Sequence, residues 1–475
     1  MVTNQLKGAV EELWNLFRSA GITNPLSAME QISYLIALRW WDKADGDIEE
    51  LPAPFGKATP RRWSALKKAR AAELPGLVES AFEGLRLTDQ YGEDFSAAMR
   101  DASLRVPKAN ILKPAIEMID KLPFGRGDAD TPGQLYEELL SLAFSAGKHT
   151  QFRTPRHVVE TMVELADPQD GERVCDPAAG TGGFLISAYR RVYDAGSVPS
   201  SESFTGFDFD TTMVRLGIIN MIMHGIRRPS YKHQDMLGVG PKLTRKYNLV
   251  LSFLPFGGKV ERAKVDKRRL TLPTNRTELL FIEQSLALLR GGGRCAVVVP
   301  EGVMSNEDPD CRELRRRLVE GNRLEAVVSL PRGTFLPYTA VKTAILLMTK
   351  GGRTDRVWFY DVMADGYTLD DGRVPNPGHN DLKFVPQAYR VMVGGAQEKW
   401  AAGAKDVAEQ RSLSVGRAEI AAHDYSLTSD LYRRAAQEVA REDIRAILTR
   451  ILDLQSQIRR KVKSIEAKLP GVLDA

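Results

Sequence analysis

Cysteine is scarce in this chain of 475 residues, which contains Cys175, Cys295 and Cys311. These three form no paired framework, and none has the CxxC spacing of a zinc or redox site. The six histidines are likewise scattered, without metal-ligand spacing. The sequence therefore predicts neither a disulfide scaffold nor a metal site, and a reducing compartment is the simplest expectation.

Long apolar runs are also missing. Runs such as CAVVVP, which starts at Cys295, fall far short of the roughly 20 residues that a membrane-spanning helix needs. The first residues, MVTNQLKGAVEELW, lack the basic stretch and following apolar stretch of a secretory leader. We therefore expect neither membrane insertion nor secretion, and we expect a cytoplasmic protein.

The charge balance is only mildly uneven. Lys and Arg number 66 and Asp and Glu number 61, which gives a formal net charge of +5. The hydrophobic share of 43% and the charged share of 27% are typical of globular proteins. The small positive surplus favours acidic partners such as nucleic acid without defining one.

Apolar periodicity changes along the chain and predicts its fold class. Up to residue 145, apolar residues recur at helical spacing, as at Ile32, Leu35 and Ile36, which predicts an N-terminal helical domain. Residues 146–400 instead alternate helices with short apolar runs: ERVCD, SFTGFD, YNLVLS, RCAVVV, LEAVVSL, KTAILLM and RVWFYD. This alternation predicts an α/β domain with a mostly parallel sheet covered by helices.

The last part of the chain, residues 401–475, is predicted to be a helical tail. Residues 441–469 read REDIRAILTRILDLQSQIRRKVKSIEAKL, with apolar residues at helical spacing. Such a helix can pack on its own domain or form a coiled contact with a partner subunit. The pattern alone favours neither.

A glycine-rich loop indicates the cofactor class. In VCDPAAGTGGFLISAYRRV, an apolar strand ends at Asp176, and Gly180, Gly182 and Gly183 let a turn pass close to a ligand before a helix begins near Phe184. The loop matches neither the GxGxxG of a dinucleotide site nor the GK[ST] of a P-loop. Because Asp176 suits a cationic ligand, the loop predicts an S-adenosylmethionine site. A purely structural turn is the plain alternative.

Two further acids follow the next predicted strands. Asp208 in GFDFD stands where a carboxylate can accept hydrogen bonds from both ribose hydroxyls. Asp235 in HQDML stands where it could accept from the exocyclic amine of the cofactor's adenine. Each acid alone could be a helix N-cap. Three acids after three successive strands favour the cofactor interpretation.

The chain resembles the modification subunits of type I restriction-modification systems, which methylate the exocyclic amine of adenine in DNA. The matching segments, in order, are LYEELLSLAFSAGKHTQFRTPRHVVETMVEL, DPAAGTGGFLISAY, GFDFDTTMVRLGIINMIMHGI, TELLFIEQSLALLRGGGRCAVVVPEGVM, VVSLPRGTFLPYTAVKTAILLMTK, ADGYTLDDGR and IAAHDYSL. They span nearly the whole chain. The resemblance implies a Rossmann-like S-adenosylmethionine-dependent methyltransferase sheet with an N-terminal helical domain and a C-terminal helix.

The resemblance also assigns cofactor residues. The segment TQFRTP matches the family segment that closes over the methionine end of the cofactor, although Thr150 stands where that segment usually has Gly. The implied cofactor-binding residues are Thr150, Gln151, Phe152, Arg153, Thr154, Pro155, Asp176, Ala178, Gly180, Thr181, Gly182, Phe184, Asp208 and Asp235.

The catalytic motif departs from the family. Where the family has Asn-Pro-Pro-Phe, this chain has Phe253, Leu254, Pro255 and Phe256. In the family motif, the Asn side-chain carbonyl and the next backbone carbonyl accept the two amine hydrogens, and the aromatic residue stacks on a flipped base. Phe253 has no side-chain acceptor, and Asn248 lies too early on the strand to replace it.

A basic loop follows the motif. It carries Lys259, Arg262, Lys264, Lys267, Arg268 and Arg269. Beside the expected DNA face, such residues could contact phosphates, although a solvated loop is the plain alternative. No segment resembles a base-reading domain. The resemblance therefore implies double-stranded DNA and a separate specificity subunit as partners, with a second copy of the chain and a restriction or other effector subunit as further candidates.

Three functions remain open on the sequence. The favoured one is the modification subunit of a DNA adenine-N6 methyltransferase of a type I or related phage-defence system. The second is a catalytically silent homologue that binds cofactor and DNA as a structural or sensing component. A small-molecule methyltransferase is disfavoured, because the N-terminal helices and the terminal helix match the DNA-modifying family.

Overall fold

The computed structural model describes residues 4–22, 24–47, 62–87, 91–105, 108–122, 131–145, 154–238, 243–436 and 444–466. The chain divides into two compact units, Met1–Leu427 and Thr428–Ala475. The boundaries predicted at residues 145 and 400 stay predictions. In the described part of the chain, no helix combines the length and hydrophobicity needed to cross a membrane.

The first unit opens with helices, as the apolar periodicity predicts. Leu13 and Phe17 on the first helix are buried because their spacing puts them on one helix face. The second helix is buried on all sides over residues 28–39, which include Ile32, Leu35 and Ile36. The helices are α1 (Asn4–Ser19), α2 (Pro25–Asp47), α3 (Trp63–Lys68), α4 (Leu74–Leu87), α5 (Glu93–Met99), α6 (Ala109–Asp120) and α7 (Thr131–Ser145).

Strands and helices then alternate. The next elements are α8 (Arg156–Ala166), β1 (Val174–Asp176), α9 (Gly183–Asp194), β2 (Phe204–Asp208), α10 (Thr211–Met223), β3 (Ser230–His233), β4 (Tyr247–Phe253), α11 (Thr277–Leu288), β5 (Leu289–Pro300), α12 (Glu301–Ser305), α13 (Pro309–Gly321), β6 (Arg323–Ser329), β7 (Thr343–Thr349) and β8 (Arg356–Asp361). All seven apolar runs read from the sequence are strands. The polar SYKH of β3 is not one of these apolar runs, but it is the strand that Asp235 was expected to follow.

The remaining elements complete the first unit and form the second. They are β9 (Asp365–Tyr367), β10 (Pro375–Asn380), α14 (Val385–Met392), α15 (Ala404–Arg411), β11 (Ser412–Gly416), α16 (Arg417–Ala422), α17 (Ser429–Ala436) and α18 (Ile444–Glu466). Short 3-10 turns cover Ser201–Ser203 and Leu382–Phe384.

Nine strands of the described chain form one sheet in the order β11-β8-β6-β7-β5-β4-β1-β2-β3. Pairing is parallel from β3 through β2, β1 and β4 to β5. Strand β7 is antiparallel to both β5 and β6, and β11 is antiparallel to β8. The connection from β6 to β7 has no helix to carry a crossover, which favours the antiparallel insertion. The mostly parallel sheet is therefore present as predicted.

A buried ion-pair network joins the N-terminal helices to the helix that follows β2. Glu30 on α2 and Arg215 on α10 are nearly inaccessible to solvent, and their Oε1 and Nη1 atoms lie 2.7 Å apart. Tyr34 donates a hydrogen bond of 3.1 Å to Glu30, and Arg215 Nε donates one of 2.7 Å to the carbonyl of Ala98. The N-terminal helices and the sheet therefore share one packed interior.

We predict that Arg215→Met destabilises the first unit by roughly 3–5 kcal/mol, because Glu30 then keeps a buried charge without its closest cation. Urea unfolding followed by tryptophan fluorescence would measure this. Arg70→Met is the matched control: Arg70 is 84% exposed in its pair with Glu73, and its loss should cost less than about 1 kcal/mol. Equal losses in the two variants would contradict the interpretation.

The terminal helix α18 has an exposed apolar face. Ile451, Leu454 and Ile458 are 47%, 52% and 61% exposed. All the described side chains of residues 449–464 are exposed. The helix therefore forms where the pattern predicts it.

Candidate functional site

The strand order reverses at β1, which has β2 on one side and β4 on the other. In open α/β sheets, ligands bind in the crevice at the carboxyl ends of the strands where the order reverses. Asp176 ends β1, and Phe253 ends β4. The fold thus places the glycine loop and the tetrapeptide of the sequence analysis at one crevice.

The glycine loop has the backbone shape that its sequence indicates. Gly180 and Gly182 have φ angles of +53° and +80°, a backbone region that residues other than glycine rarely adopt. The N–H of Ala179 donates to the carbonyl of Phe207, 2.9 Å away, and the N–H of Gly180 donates to Asp208 Oδ2, 3.0 Å away. The loop is therefore held against the end of β2.

A second layer that the sequence did not reveal supports this loop. The Tyr231 hydroxyl donates a hydrogen bond of 2.6 Å to the carbonyl of Gly180. The ring fits because Gly206 and Gly217 lack side chains: a Cβ at either would lie within 2.9 Å of Tyr231. Asn220 Nδ2 donates to the carbonyl of Thr181, 2.8 Å away. Gly217 and Asn220 stand out in the apolar sequence of α10 and could have indicated that this helix supports the loop. The polar sequence around Tyr231 gave no such indication.

Asp176 is 1% exposed, and its Oδ1 accepts from the backbone N–H of Ala178 at 3.0 Å and from the Ser252 hydroxyl at 2.6 Å. Burial raises the pKa of Asp176 to about 7, although both hydrogen bonds oppose this shift. A nearby positive charge would favour its ionised form. Ser252 was missed, although it is a polar residue near the carboxyl end of the largely apolar strand β4.

Asp208 lies beneath the glycine loop. Its Oδ1 accepts from the N–H of Asp210 at 2.9 Å, and its Oδ2 accepts from that of Gly180. Burial raises the pKa of Asp208 to about 6. Asp210 caps α10 by accepting from the N–H groups of Thr212 and Met213. The N-cap is therefore Asp210, which leaves Asp208 available at the strand end.

Asp235 follows β3 as expected but is exposed. Its Oδ1 accepts from the N–H of Leu237 at 3.0 Å, which makes a turn. The cavity described next does not reach Asp235 or Asp208. The contact of Asp235 with the adenine ring of a cofactor stays a prediction.

A cavity of about 430 Å³ opens in front of the glycine loop. Seven of the predicted residues line it: Thr154, Asp176, Ala178, Gly180, Thr181, Phe184 and Phe253. Charged residues of both signs complete the wall: Glu137, Arg156, Glu160, Glu164, Arg190, Arg191 and Asp194. Gly182 is the N-cap of α9 and Pro155 that of α8. The predicted residues Thr150, Gln151, Phe152 and Arg153 lie outside the described residues.

The tetrapeptide forms a largely apolar wall. Phe253 is 8% exposed, and its ring centroid lies 5.4 Å from that of Phe256 and 5.0 Å from that of Phe335. Leu254 is fully buried and donates its N–H to the carbonyl of Val298, while Pro255 and Phe256 are half-buried. The side chain that lines the cavity at the family's Asn position thus offers no acceptor.

Asn248 does not replace that acceptor. Its Oδ1 accepts from the N–H of Arg173, 3.1 Å away, at the amino end of β4. Phe253 ends the same strand at its carboxyl end. The expectation that Asn248 is too early on the strand is confirmed.

The basic loop uses its six cations in two ways. Lys259, Lys267 and Arg268 are exposed, and so is Lys264, which pairs with Glu261. Arg262 and Arg269 instead hold the loop together: Arg262 donates to the carbonyl of Leu270, and Arg269 donates to those of Met236 and Leu237. The side chain of Arg269 is 3% exposed. Phosphate contact by this loop stays a prediction, carried by the four exposed cations.

The cavity fits S-adenosylmethionine in its chemistry. The amino and sulfonium groups of this cofactor are positive, and Asp176 places a buried carboxyl group in the wall. A Cβ at Gly180 would have no atom within 4 Å, so open space lies in front of the loop. These observations agree with a cationic ligand that lies close to the backbone.

The chain belongs to the N-6 DNA methylase family. The family model described as "N-6 DNA Methylase" matches residues 127–441, which is more than half of the chain. The resemblance and the family-level function expected from the sequence are thereby confirmed.

Curated relatives include methylase subunits of type I restriction enzymes. The chain is 28% identical over 381 residues to the type I restriction enzyme EcoEI methylase subunit of Escherichia coli, covering 75% of this chain and 77% of the relative. It is 28% identical over 392 residues to the EcoKI methylase subunit of E. coli strain K12, covering 74% and 71%.

Solved structures share the fold. A chain from structures describing complex assembly and conformational transition of the type I R-M system has a TM-score of 0.71 and 26% identity, covering 98% of this chain and 99% of that one. The type I methyltransferase subunit from Streptococcus thermophilus has a TM-score of 0.71, covering 89% and 98%. Its 17% identity supports the fold alone. The predicted fold class is confirmed.

We predict that S-adenosylmethionine affinity falls as the pH drops below 7. The pKa of Asp176 in the folded chain, about 7, lies above its ordinary 3.8, so folding is favoured at low pH and this contribution is lost as the pH rises through 7. A cationic ligand needs the ionised form, so affinity should fall roughly tenfold from pH 8 to pH 6. Titration calorimetry measures it.

The matched variants are Asp176→Asn and Asp170→Asn. The first should bind more weakly at pH 8 and should lose the dependence near pH 7, leaving the protonation of Asp208 near its pKa of about 6. The second changes an exposed acid and should behave as the native chain. An unchanged pH profile in Asp176→Asn would exclude Asp176 as the titrating group.

Proposed function

We propose that this chain is the modification subunit of a type I restriction-modification system, and that it binds S-adenosylmethionine to methylate adenine N6 in DNA. One observation carries the proposal. In a member of the N-6 DNA methylase family, the buried Asp176, the glycine loop and Phe253 of the tetrapeptide line one cavity where the strand order reverses.

The cofactor residues have separable roles. S-adenosylmethionine, when bound, supplies an activated methyl group. Asp176 would face its positive charge, and Gly180 and Thr181 would let it lie against the backbone. Asp208 would accept from the ribose hydroxyls, since each carboxylate oxygen can accept more than one hydrogen bond. The segment that ends at Thr154 and Pro155 would close over the methionine end.

DNA and partner subunits would contact other surfaces. The exposed Lys259, Lys264, Lys267 and Arg268 suit phosphate contact, which gives affinity but no base reading. A separate specificity subunit would supply base reading, and the exposed apolar face of α18 suits a coiled contact with it. A second copy of the chain and a restriction subunit would complete the complex.

The tetrapeptide sets the expected rate. The carbonyl of Leu254 can still accept one amine hydrogen, and Phe256 can still stack on a base. Phe253 cannot accept the second hydrogen, so one of the orienting bonds is missing. Losing one preorganised contact of this kind typically costs roughly a hundredfold in rate, or about 3 kcal/mol. We therefore expect slow transfer.

A second candidate is a subunit that binds cofactor and DNA without transfer. The packing of Phe253 between Phe256 and Phe335 favours it, because the ring is built into the wall of the cavity. The similarity to curated methylase subunits favours the first candidate.

The deciding experiment uses the chain purified with its partner subunits. Titration calorimetry with S-adenosylmethionine comes first, followed by transfer of labelled methyl to adenine-containing DNA in the same preparation. Binding with transfer supports the modification subunit. Binding without transfer supports the silent candidate, and absence of binding would exclude both.

We predict that the double variant Phe253→Asn with Leu254→Pro transfers methyl groups roughly a hundredfold faster than the native chain, because the missing acceptor is restored. Single-turnover transfer of labelled methyl to DNA measures this. Phe253→Ala with Leu254→Pro is the matched control, since it removes the ring without adding an acceptor, and it should stay slow. A native chain as fast as the double variant would show that FLPF suffices.

A further inference from the structure

The segment ADGYTLDDGR forms a small hairpin apart from the main sheet. Strand β9 pairs antiparallel with β10, with Asp365 opposite Asn380 and Tyr367 opposite Pro375. In the turn between them, Asp370 accepts from the N–H of Gly372 and the hydroxyl of Thr368, so it stabilises the turn. Asp371 in the same turn is exposed, whereas Asp365 on β9 is 0% exposed.

One end of this hairpin is tied to the start of α8. Asp365 Oδ2 lies 3.2 Å from His157 Nε2 and accepts a hydrogen bond from Arg373 Nη2. The His157 ring stacks on Tyr367 with centroids 4.6 Å apart, and the Arg373 guanidinium lies over the same Tyr367 ring. His157 is the residue after Arg156, which lines the cofactor cavity together with Thr154.

The hairpin also touches the loop behind the tetrapeptide. Gly333 has a φ angle of +102°, and a Cβ there would lie 2.8 Å from the carbonyl oxygen of Leu369. Two residues later, Phe335 packs its ring 5.0 Å from that of Phe253. The hairpin therefore contacts the start of α8, next to the cavity, at His157. It also contacts, at Gly333, the loop whose Phe335 packs against Phe253.

The contacts of Asp365 with His157 and Arg373 are polar and directional, although apolar packing would be enough to hold the hairpin in place. Hydrogen bonds from His157 and Arg373 hold the pKa of Asp365 below its usual value, although burial opposes this. Its Oδ1 is buried without a hydrogen-bond partner among the described residues. A buried ionic link of this kind is weak evidence for stability, because its desolvation offsets its attraction, and an apolar pair would hold the hairpin as well. Its directional bonds fix a geometry.

We infer that Asp365 is a positioning residue, which through His157 and Gly333 sets the spacing between the cofactor-closing start of α8 and the wall that carries Phe253. This inference rests on the proposed function, since that spacing is the one between methyl donor and target base. The hairpin is then a spacer between the two halves of the site.

Asp365→Asn in the complex of the chain with its partners tests this. It keeps the size of the side chain and removes the charge that His157 and Arg373 contact. We expect S-adenosylmethionine to bind about three- to thirtyfold more weakly, the range found for residues that couple through packed contacts. DNA affinity should stay within about twofold. Asp371→Asn, an exposed acid of the same turn, is the control and should bind as the native complex does.

Hydrogen–deuterium exchange gives a readout that needs no cofactor. In Asp365→Asn, amides of residues 157–163 and 333–340 should exchange about three- to thirtyfold faster, while those of 295–299 in β5 should not change. His157→Phe keeps the stacking on Tyr367 and should affect 157–163 alone. Gly333→Ala should affect 333–340 alone.

The outcomes separate the two proposals. Unchanged exchange in both segments, faster exchange in 295–299 as well, or a parallel loss of DNA affinity would overturn the positioning role. If the native complex fails to bind S-adenosylmethionine, the proposed function fails, and the exchange pattern still decides whether the hairpin links the two walls.

Discussion

The site depends on how the backbone of one residue, Gly180, is held. Its N–H donates to Asp208 and its carbonyl accepts from Tyr231, so both polar groups of this residue are used by strands on one side of β1. With both groups fixed, the loop cannot turn away from the crevice. The space in front of it is then set by the sheet rather than by the loop's own preferences, which lets a glycine-rich turn, flexible by composition, act as a rigid surface.

Two parts of the site follow different physical rules. The glycine-loop side is polar, and burial raises the pKa of Asp176 to about 7. The tetrapeptide side is apolar, and its aromatic rings pack on one another. A ligand that is cationic at one end and flat at the other suits this contrast. Phe253, which lines the cavity on the tetrapeptide side, offers no side-chain acceptor for an amine.

Short-range patterns predicted much of this structure. The seven apolar runs are strands. Asp176 was singled out because it ends such a run, and Phe253 because the family resemblance aligns it with the catalytic tetrapeptide. Tyr231 and Asp365 escaped because their roles arise from distant contacts: the Tyr231 ring reaches Gly180 only through gaps left by Gly206 and Gly217, and His157 lies more than 200 residues before Asp365. The burial of the Arg269 side chain was not predictable either, because the sequence of a basic loop does not show which of its cations are buried.

The buried pair of Glu30 and Arg215 makes the N-terminal helices and α10 depend on each other. Arg215 is on α10, the same helix that carries Gly217 beside Tyr231 and Asn220 beside Thr181. The helix that pairs with the N-terminal helices through Arg215 thus also supports the glycine loop through Gly217 and Asn220. A chimera of this chain that received foreign N-terminal helices without an acid at position 30 would leave Arg215 buried without its partner. The N-terminal helices and α10 therefore have to be exchanged together in any such chimera.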